Sequence, residues 1–172
     1  MTILCRNVEK MNAAIAQITQ KEAINKIIGI EMDLSSFDSV RSAAETITKN
    51  KSKIDICILN AGIMKVPLKL CEGFESEQCV NHFSHFLFLS KIMPLIQNAE
   101  GKPRVISLSS AAHAWADDNI EKYWKRYNNE QEYKSNCADS MGSWVPYANS
   151  KLGMLHTVCT TVRLIPHQVD EI

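Results

Sequence analysis

The chain has 172 residues, of which 45% are hydrophobic and 22% charged, and its formal net charge is zero. This length and composition predict one soluble globular domain, and the neutral charge argues against general binding to nucleic acids or acidic membranes. The six cysteines form no C-x-x-C pair, which favours a reducing compartment. The sequence contains neither a signal peptide nor an apolar run long enough to span a bilayer, so we predict a cytoplasmic protein.

The first third of the chain alternates between short apolar strands and amphipathic helices. Residues 2–5 are predicted to form a buried strand, and a helix follows with Asn7 as its cap. A second strand at 27–32 leads into a helix whose start is marked by Ser35 and Asp38, because their spacing resembles a capping box. This alternation predicts strand–helix–strand units.

The same alternation continues through the middle of the chain. A third strand is predicted at 54–59, a long helix at 76–97, a fourth strand at 104–108, and a last helix beginning just before Tyr147. Apolar strands that alternate with amphipathic helices are typical of a parallel sheet covered on both faces. The sequence therefore predicts a doubly wound, Rossmann-like α/β fold.

Residues 115–143 interrupt this pattern. The segment is rich in aromatic and charged side chains and lacks the apolar periodicity of the preceding helices. We interpret it as an excursion from the domain and predict a single helix within it, at about 120–127.

Polar or glycine-containing groups follow all four predicted strands. In doubly wound sheets, ligands bind beyond the carboxyl ends of the strands. The groups at these ends are Arg6 after the first strand, Asp33 after the second, Asn60-Ala61-Gly62 after the third, and Ser109-Ser110 after the fourth. Together they indicate a ligand site at one edge of the sheet.

Tyr147 and Lys151 are four residues apart, so they project from one face of the last helix. A neighbouring ammonium group favours the phenolate form of a tyrosine. The two residues are therefore a candidate proton-transfer pair, although a tyrosine and a lysine can share a helix face by chance. The groups upstream of them favour the chemical interpretation.

The chain resembles the short-chain dehydrogenase/reductase family in five short motifs that occur in the family's order. They are Asp33-Leu34, Asn60-Ala61-Gly62, Asn81, Ser109-Ser110 and Tyr147-x-x-x-Lys151. Residues 80–87 and 109–113 are similar to the retinol-dehydrogenase-like branch in particular. The resemblance extends from residue 3 to about residue 155.

The resemblance implies an oxidoreductase that interconverts an alcohol and a carbonyl, with a lipophilic, retinoid- or steroid-like substrate. Tyr147 would exchange a proton with the substrate oxygen, and Lys151 would favour the ionised tyrosine and bind the nicotinamide ribose. Ser110 would hydrogen-bond the substrate oxygen, and Asn81 would hold a water in the proton relay. One tuned acid/base and one polarising group are what a hydride-transfer enzyme requires from its protein.

The resemblance also implies a nicotinamide cofactor, and Arg6 favours NADP over the alternative, NAD. Cys5 occupies the position of the usual ribose-binding acid, whereas Arg6 beside it could pair with a 2′-phosphate. A solvated arginine is an equal alternative, and a capping or turn role remains open for Asp33. The family's other cofactor contacts correspond to Asp33, Leu34, Asn60, Ala61, Gly62 and Lys151.

Two family features are missing from this sequence. No glycine-rich T-G-x-x-x-G-x-G turn occurs, and the strand before it, which would lie between the strands at 2–5 and 54–59, is absent. The loss would leave two inner edges unpaired or force them together. The family's C-terminal strand and substrate-covering segment are absent as well. We therefore predict one incomplete Rossmann-like domain over 1–172, truncated at both ends, with weak dinucleotide affinity in isolation.

Three interpretations of the chain remain open at this point. One is the oxidoreductase, another is a non-catalytic remnant that acts through dimerisation with an intact relative, and the third is a marginally stable product without function. The resemblance implies a homodimer through the helices at 76–97 and 146–164. We predict no metal site, because no third ligand accompanies His82 and His85 and histidines of the core or a groove are more common.

Overall fold

Four parallel strands lie where the sequence predicted them, in a computed structural model that describes residues 1–22, 26–137 and 144–164. They are β1 (Thr2–Cys5), β2 (Ile28–Glu31), β3 (Ile56–Leu59) and, later in the chain, β6 (Arg104–Ser107). β1 pairs with β2 and β3 pairs with β6, both in parallel. These are two separate two-stranded sheets, so the inner edges of β1 and β3 are not paired with any strand of the described residues.

The helices also follow the predicted order. They are α1 (Val8–Glu22), α2 (Phe37–Asn50), α3 (Ser76–Gln78), α4 (Ser84–Gln97), α5 (Glu130–Asn136) and α6 (Val145–Leu164). A π-helical turn, Cys79–Phe83, joins α3 to α4, so the predicted helix at 76–97 is one helical run with a wider turn inside it. Within the described ranges, no helix is both long and apolar enough to cross a membrane.

The main core lies between the sheets and one layer of helices. α2 and α4 pack together on the face of β3 that carries Cys57 and Leu59, and Met154 of α6 joins this core. α1 packs against β2, where its Met11 lies close to Gly29. The alternate residues of β3, Ile56 and Ile58, are each 59% exposed, so this part of the sheet is covered on one face only.

The start of α2 corrects one prediction. Ser36, not Ser35, is the N-cap, and its Oγ accepts the Ser39 N–H at 3.3 Å. The Ser35 hydroxyl instead donates to Asp33 Oδ1 at 2.8 Å. The expected capping box fails because Ser35 is held in the turn by Asp33, while Ser36, one residue nearer the helix, accepts the free N–H of the first turn.

The excursion contains a helix, but the predicted position was wrong. Ile120–Lys122 forms only a short 3₁₀ turn, and the α-helix is α5, where Asn129 Oδ1 accepts the Glu132 N–H at 2.9 Å. The segment builds a second small core from Tyr123, Tyr127, Tyr133 and Cys137. The tyrosines of the segment therefore pack on one another from several elements.

A short hairpin between β3 and α3 was not predicted. β4 (Leu70–Cys71) and β5 (Phe74–Glu75) pair in antiparallel, and Glu72 and Gly73 between them have φ values of 55° and 83°. Two positive φ angles in a two-residue loop are typical of the type I′ turn, and glycine adopts this conformation without strain. Strands of two residues carry too little periodicity to be recognised from sequence.

Candidate active site

The π-helical turn places Asn81 at the centre of the site. Its side chain is fully buried, Oδ1 accepts the Ile63 N–H at 2.7 Å, and Nδ2 donates to the Ile63 carbonyl at 2.8 Å. The Asn81 side-chain amide therefore holds the loop after β3 through both the N–H and the carbonyl of Ile63. A π turn widens the helix locally, so it gives Asn81 a direction that differs from the one a regular α-helix would give it.

Asn81 is also joined to α6 through a residue that the sequence analysis missed. Its Nδ2 donates to Ser150 Oγ at 2.9 Å, and the Ser150 hydroxyl donates to the Tyr147 carbonyl at 2.7 Å. Both amide hydrogens of Asn81 are thus used within the chain. Ser150 lies inside the Tyr147-x-x-x-Lys151 motif, and its small hydroxyl side chain was the only signal that could have suggested this role.

Lys151 is buried where the end of β6 meets α6. Its Nζ donates to the Leu108 carbonyl at 2.9 Å and lies 5.7 Å from the centroid of the Tyr147 ring. Ser109 Oγ donates to the Lys151 carbonyl at 2.7 Å, which ties the same strand end to the helix. Burial of the ammonium group lowers the pKa of Lys151. The structure thus brings the predicted pair together on one face of α6.

The loop after β3 approaches these two residues closely. A Cβ atom on Gly62 would lie 3.1 Å from Asn81 Oδ1 and 3.5 Å from Lys151 Nζ. The position has little room for a side chain, because the buried amide is fixed by its bonds to Ile63. Asn81, Lys151 and Gly62, which the sequence assigned separately, therefore meet at one point.

Ser110 lies just beyond the end of β6, two residues after Leu108. It is half-buried, and its Oγ accepts the Ala112 N–H at 3.2 Å as the N-cap of a 3₁₀ turn, Ala111–Trp115. The hydroxyl acts as an acceptor in this bond, so its own hydrogen is free to be donated to another partner. Ser110 lies at the same strand end as the Lys151 ammonium group.

A cavity of about 450 Å³ lies at the carboxyl ends of β1, β2 and β3. Six of the residues predicted to bind the cofactor line it: Arg6, Asp33, Leu34, Asn60, Ala61 and Gly62. The seventh, Lys151, lies beside it through its approach to Gly62. Strand direction explains this grouping, since the ends of parallel strands meet at one edge.

Asp33 combines the two roles that the sequence left open. Its Oδ1 accepts the Ser35 N–H and the Ser35 hydroxyl, each at 2.8 Å, so it is a turn carboxylate that also lines the cavity. Burial alone would raise the pKa of Asp33, but the bonds from Ser35 and the positive charge of Arg6 lower it on balance. Asp33 is therefore an anion beside Arg6.

An aromatic surface beside Tyr147 was not predicted. The Trp144 ring lies 6.2 Å from the Tyr147 ring and 6.4 Å from the Trp115 ring, between centroids, and Lys65 Nζ lies 4.6 Å from the Trp144 centroid. Trp115 is 62% exposed, and Trp144 is also exposed. We call Trp115, Trp144 and Tyr147 the aromatic rim. Tryptophans separated by 29 residues carry no sequence signal for this contact.

The two histidines of the π turn and α4 are buried. His82 packs on the rings of Phe83 and Trp124, and it lies so close to Gly153 of α6 that a Cβ there would meet the imidazole at 2.3 Å. His85 Nε2 lies 2.8 Å from the Ala61 carbonyl and supports the loop after β3. Among the residues that the structure describes, no group of three side chains could hold a metal ion.

The fold and the residues at its edge define a Rossmann-like α/β domain. A family model described as short chain dehydrogenase matches residues 1–123, which include Asn81 and Ser110. The chain belongs to the short-chain dehydrogenase/reductase family, and its relatives place it in the retinol-dehydrogenase-like branch.

Two curated relatives and one solved structure illustrate the match. Human retinol dehydrogenase 13 is 33% identical over 76% of this chain and 40% of its own length, and mouse retinol dehydrogenase 12 is 33% identical over 89% and 45%. A Shigella flexneri short-chain dehydrogenase in complex with NADP superimposes with a TM-score of 0.69 and 15% identity, over 97% of this chain and 62% of that one. The chain thus spans less than half the length of these curated relatives.

Proposed function

We propose that the chain carries the catalytic part of an NADP-dependent oxidoreductase that interconverts an alcohol and a carbonyl. The observation that carries this proposal is the meeting of Lys151, Asn81 and Gly62 beside the Tyr147 ring, at the edge where the cavity opens. The relatives named retinol dehydrogenases support an oxidoreductase of this family. A non-catalytic role has no comparable support from the relatives.

Each side chain has a role that its contacts allow. Tyr147 would exchange a proton with the substrate oxygen, and Lys151, held by Leu108, would present a positive charge beside it. The Ser110 hydroxyl hydrogen would be donated to the same substrate oxygen. Asn81 would hold a water of the proton relay, as expected. Because its side-chain donors bind Ile63 and Ser150, we assign it in addition the positioning of the loop and of α6.

The residues present fit part of a dinucleotide. Arg6, Asp33 and Gly62 line the cavity and Lys151 lies beside it through its approach to Gly62, which suits the ribose groups of a nicotinamide cofactor. The described residues contain no glycine-rich turn at a helix N-terminus to hold a pyrophosphate. When bound, the nicotinamide supplies or accepts the hydride of the reaction.

We expect weak binding of NADPH and a preference for it over NADH that depends on Arg6. Because the pyrophosphate support is missing, the Kd should be on the order of 0.1 mM or weaker. Arg6→Ala should lower the affinity for NADPH about tenfold and leave that for NADH unchanged, since only NADPH carries a 2′-phosphate. A fluorescence titration measures both, with Arg104→Ala, an exposed arginine at the start of β6, as the matched control.

Two results of this titration would contradict the expectation. Sub-micromolar binding would show that the chain does not need the missing turn, and equal losses for both cofactors would show that Arg6 does not contact the phosphate. Unchanged binding in Arg104→Ala is required for either comparison to be meaningful.

The aromatic rim supports a lipophilic substrate. Exposed tryptophans beside the proposed acid/base offer an apolar surface on which a retinoid- or steroid-like molecule could lie. Exposed Phe86 on α4 is compatible with the expected homodimer through α4 and α6, which we retain as part of the proposal.

Deuteride transfer tests the proposed reaction directly. The chain is incubated with millimolar NADP and an alcohol deuterated at its carbinol carbon, and deuterium in the reduced cofactor is measured by mass spectrometry. We expect transfer from a long-chain or polycyclic alcohol. Trp144→Ala should lower kcat/KM for that alcohol about tenfold and change it little for a short alcohol, since one apolar contact is worth about 1–3 kcal/mol. Absence of label with every alcohol would refute the proposed reaction.

A further inference from the structure

The chain that leaves β6 is tied to α6 at two points. Ser109 Oγ donates to the Lys151 carbonyl at 2.7 Å, and the Asp117 N–H donates to Asn149 Oδ1 at 2.9 Å. We call residues 109–117 the bridging segment, because they connect the end of β6 to the excursion. Both acceptors belong to one helix and lie two residues apart in its sequence. The ends of the bridging segment are therefore fixed relative to each other through α6.

The bridging segment is also bonded internally. Within it the His113 N–H donates to the Ser110 carbonyl at 3.0 Å and the Ala116 N–H donates to the His113 carbonyl at 3.1 Å, which closes the 3₁₀ turn Ala111–Trp115. Ser110 lies beside the first attachment, and Trp115 lies two residues before the second. Loss of one attachment should therefore displace the nearer of these two side chains more than the other.

Asn149 supplies the second attachment from a different side of α6 than the proposed chemistry. Its side chain is fully buried, and its Oδ1 accepts the Asp117 N–H. With 3.6 residues per turn, Tyr147 and Lys151 share one face of the helix, whereas Asn149, two residues from each, projects from another side. Removing Asn149 Oδ1 therefore leaves the Asp117 N–H without this acceptor and keeps the side chains of Tyr147 and Lys151 in place.

We propose that Asn149 is a positioning residue that, through the Asp117 N–H, holds Trp115 where it can contact a lipophilic substrate. The Trp115 and Trp144 rings meet edge to face, yet Trp115 remains 62% exposed, so this contact alone buries little of it. The inference rests on the proposed function, in which the aromatic rim binds the apolar part of an alcohol and Ser110 binds its oxygen.

The two attachments should affect different kinetic constants. Asn149→Ala should raise the KM for a polycyclic alcohol about tenfold, because the apolar contact with Trp115 is weakened. It should change kcat little, since Ser110 stays tied through Ser109. Ser109→Ala, the matched variant at the first attachment, should instead lower kcat about tenfold, because it loosens the hydroxyl of Ser110. Deuteride transfer at millimolar NADP measures both constants, and a merely structural role for Asn149 would not produce this contrast.

Fluorine NMR reports the position of Trp115 without turnover. The chain contains three tryptophans, each of which gives one signal when it is replaced by 5-fluorotryptophan, and Trp115→Phe assigns the signal in question. Asn149→Ala should shift the Trp115 signal towards its value in urea and leave that of Trp124, which packs on His82, unchanged. Asn149→Asp keeps an acceptor oxygen at the same reach, and it should restore both the signal and the KM.

A second variant removes the same bond from the donor side. Asp117→Pro has no N–H at this position, and the extended backbone of Ala116 (φ −63°, ψ 151°) is compatible with a following proline. Asp117→Ala keeps the N–H and is its control. Asp117→Pro should reproduce the displaced Trp115 signal of Asn149→Ala, whereas Asp117→Ala should not.

The outcomes separate this inference from the proposed function. An unchanged Trp115 signal in both Asn149→Ala and Asp117→Pro would overturn it, as would an equal rise in KM for polycyclic and short alcohols. Equal displacement in Asp117→Pro and Asp117→Ala would overturn it as well, because it would assign the effect to the Asp117 side chain. If the parent chain transfers no deuteride, the proposed function fails, while a displaced signal would still support the positioning of Trp115 by Asn149.

Discussion

Replacing Tyr147 with phenylalanine is expected to lower deuteride transfer by about 10²- to 10⁴-fold, the usual contribution of a positioned acid/base. The substitution removes one oxygen and keeps the ring that lies beside Trp144 and the Lys151 ammonium group. The packing should therefore survive while the proton donor is lost. Steady-state kinetics at saturating NADP measure the loss, and it should appear in kcat.

Tyr127→Phe is the matched control for this experiment. The Tyr127 hydroxyl donates to the Lys122 carbonyl within the tyrosine core, away from the cavity, so its loss should affect stability and leave turnover unchanged. NADPH binding should be the same in Tyr147→Phe and in the parent chain. Retained turnover in Tyr147→Phe would remove the tyrosine from the proposed chemistry.

Glu77 should contribute a stability that falls as the pH rises from about 5 to about 8. This side chain is 4% exposed, and its Oε1 accepts the Val66 N–H at 3.2 Å. Burial, and then repulsion from Glu75, raise the pKa of Glu77 from 4.5 to about 7. Between these values the unfolded chain holds fewer protons than the folded one, so the free energy of unfolding decreases with pH, by about 3 kcal/mol in total.

Glu77→Gln isolates this effect. The amide keeps an acceptor for Val66 and has no charge to bury, so urea denaturation should show the variant to be more stable than the parent at pH 8 and nearly equal at pH 4.5. Burial lowers the pKa of His82 to about 4, which makes stability fall as the pH decreases below 6.5 in both proteins. The His82 contribution is therefore absent from the difference between the free energies of unfolding of Glu77→Gln and the parent.

An exposed carboxylate provides the control for Glu77→Gln. Glu45 lies on the solvent side of α2, and its substitution by glutamine should leave the dependence of unfolding on pH unchanged. If Glu77→Gln and the parent have parallel pH profiles, the Glu77 carboxylate is not the group that links stability to pH. If the pH dependence of unfolding changes in Glu45→Gln and not in Glu77→Gln, it arises from surface charge instead.

The alternation of strands and helices could be predicted because it is local. The strand at residues 2–5 and the cap at Asn7 agree with β1 and with the 2.8 Å bond from the Lys10 N–H to Asn7 Oδ1. Apolar periodicity and capping side chains act over a few residues, so the sequence contains them directly. The order of the five family motifs can likewise be read directly from the sequence. Six of the seven predicted cofactor residues line the cavity.

The sequence by itself determined the family, the succession of parallel strands and main helices along the chain, and the residue types available for chemistry. Only the tertiary structure decided how they act together: Ser150 joins Asn81 to α6, Trp115 reaches Trp144, and the inner edges of β1 and β3 stay apart. These features depend on contacts between residues far apart in the chain, such as Asn81 and Ser150. Long-range contacts arise from packing of whole elements, and no local spacing encodes them.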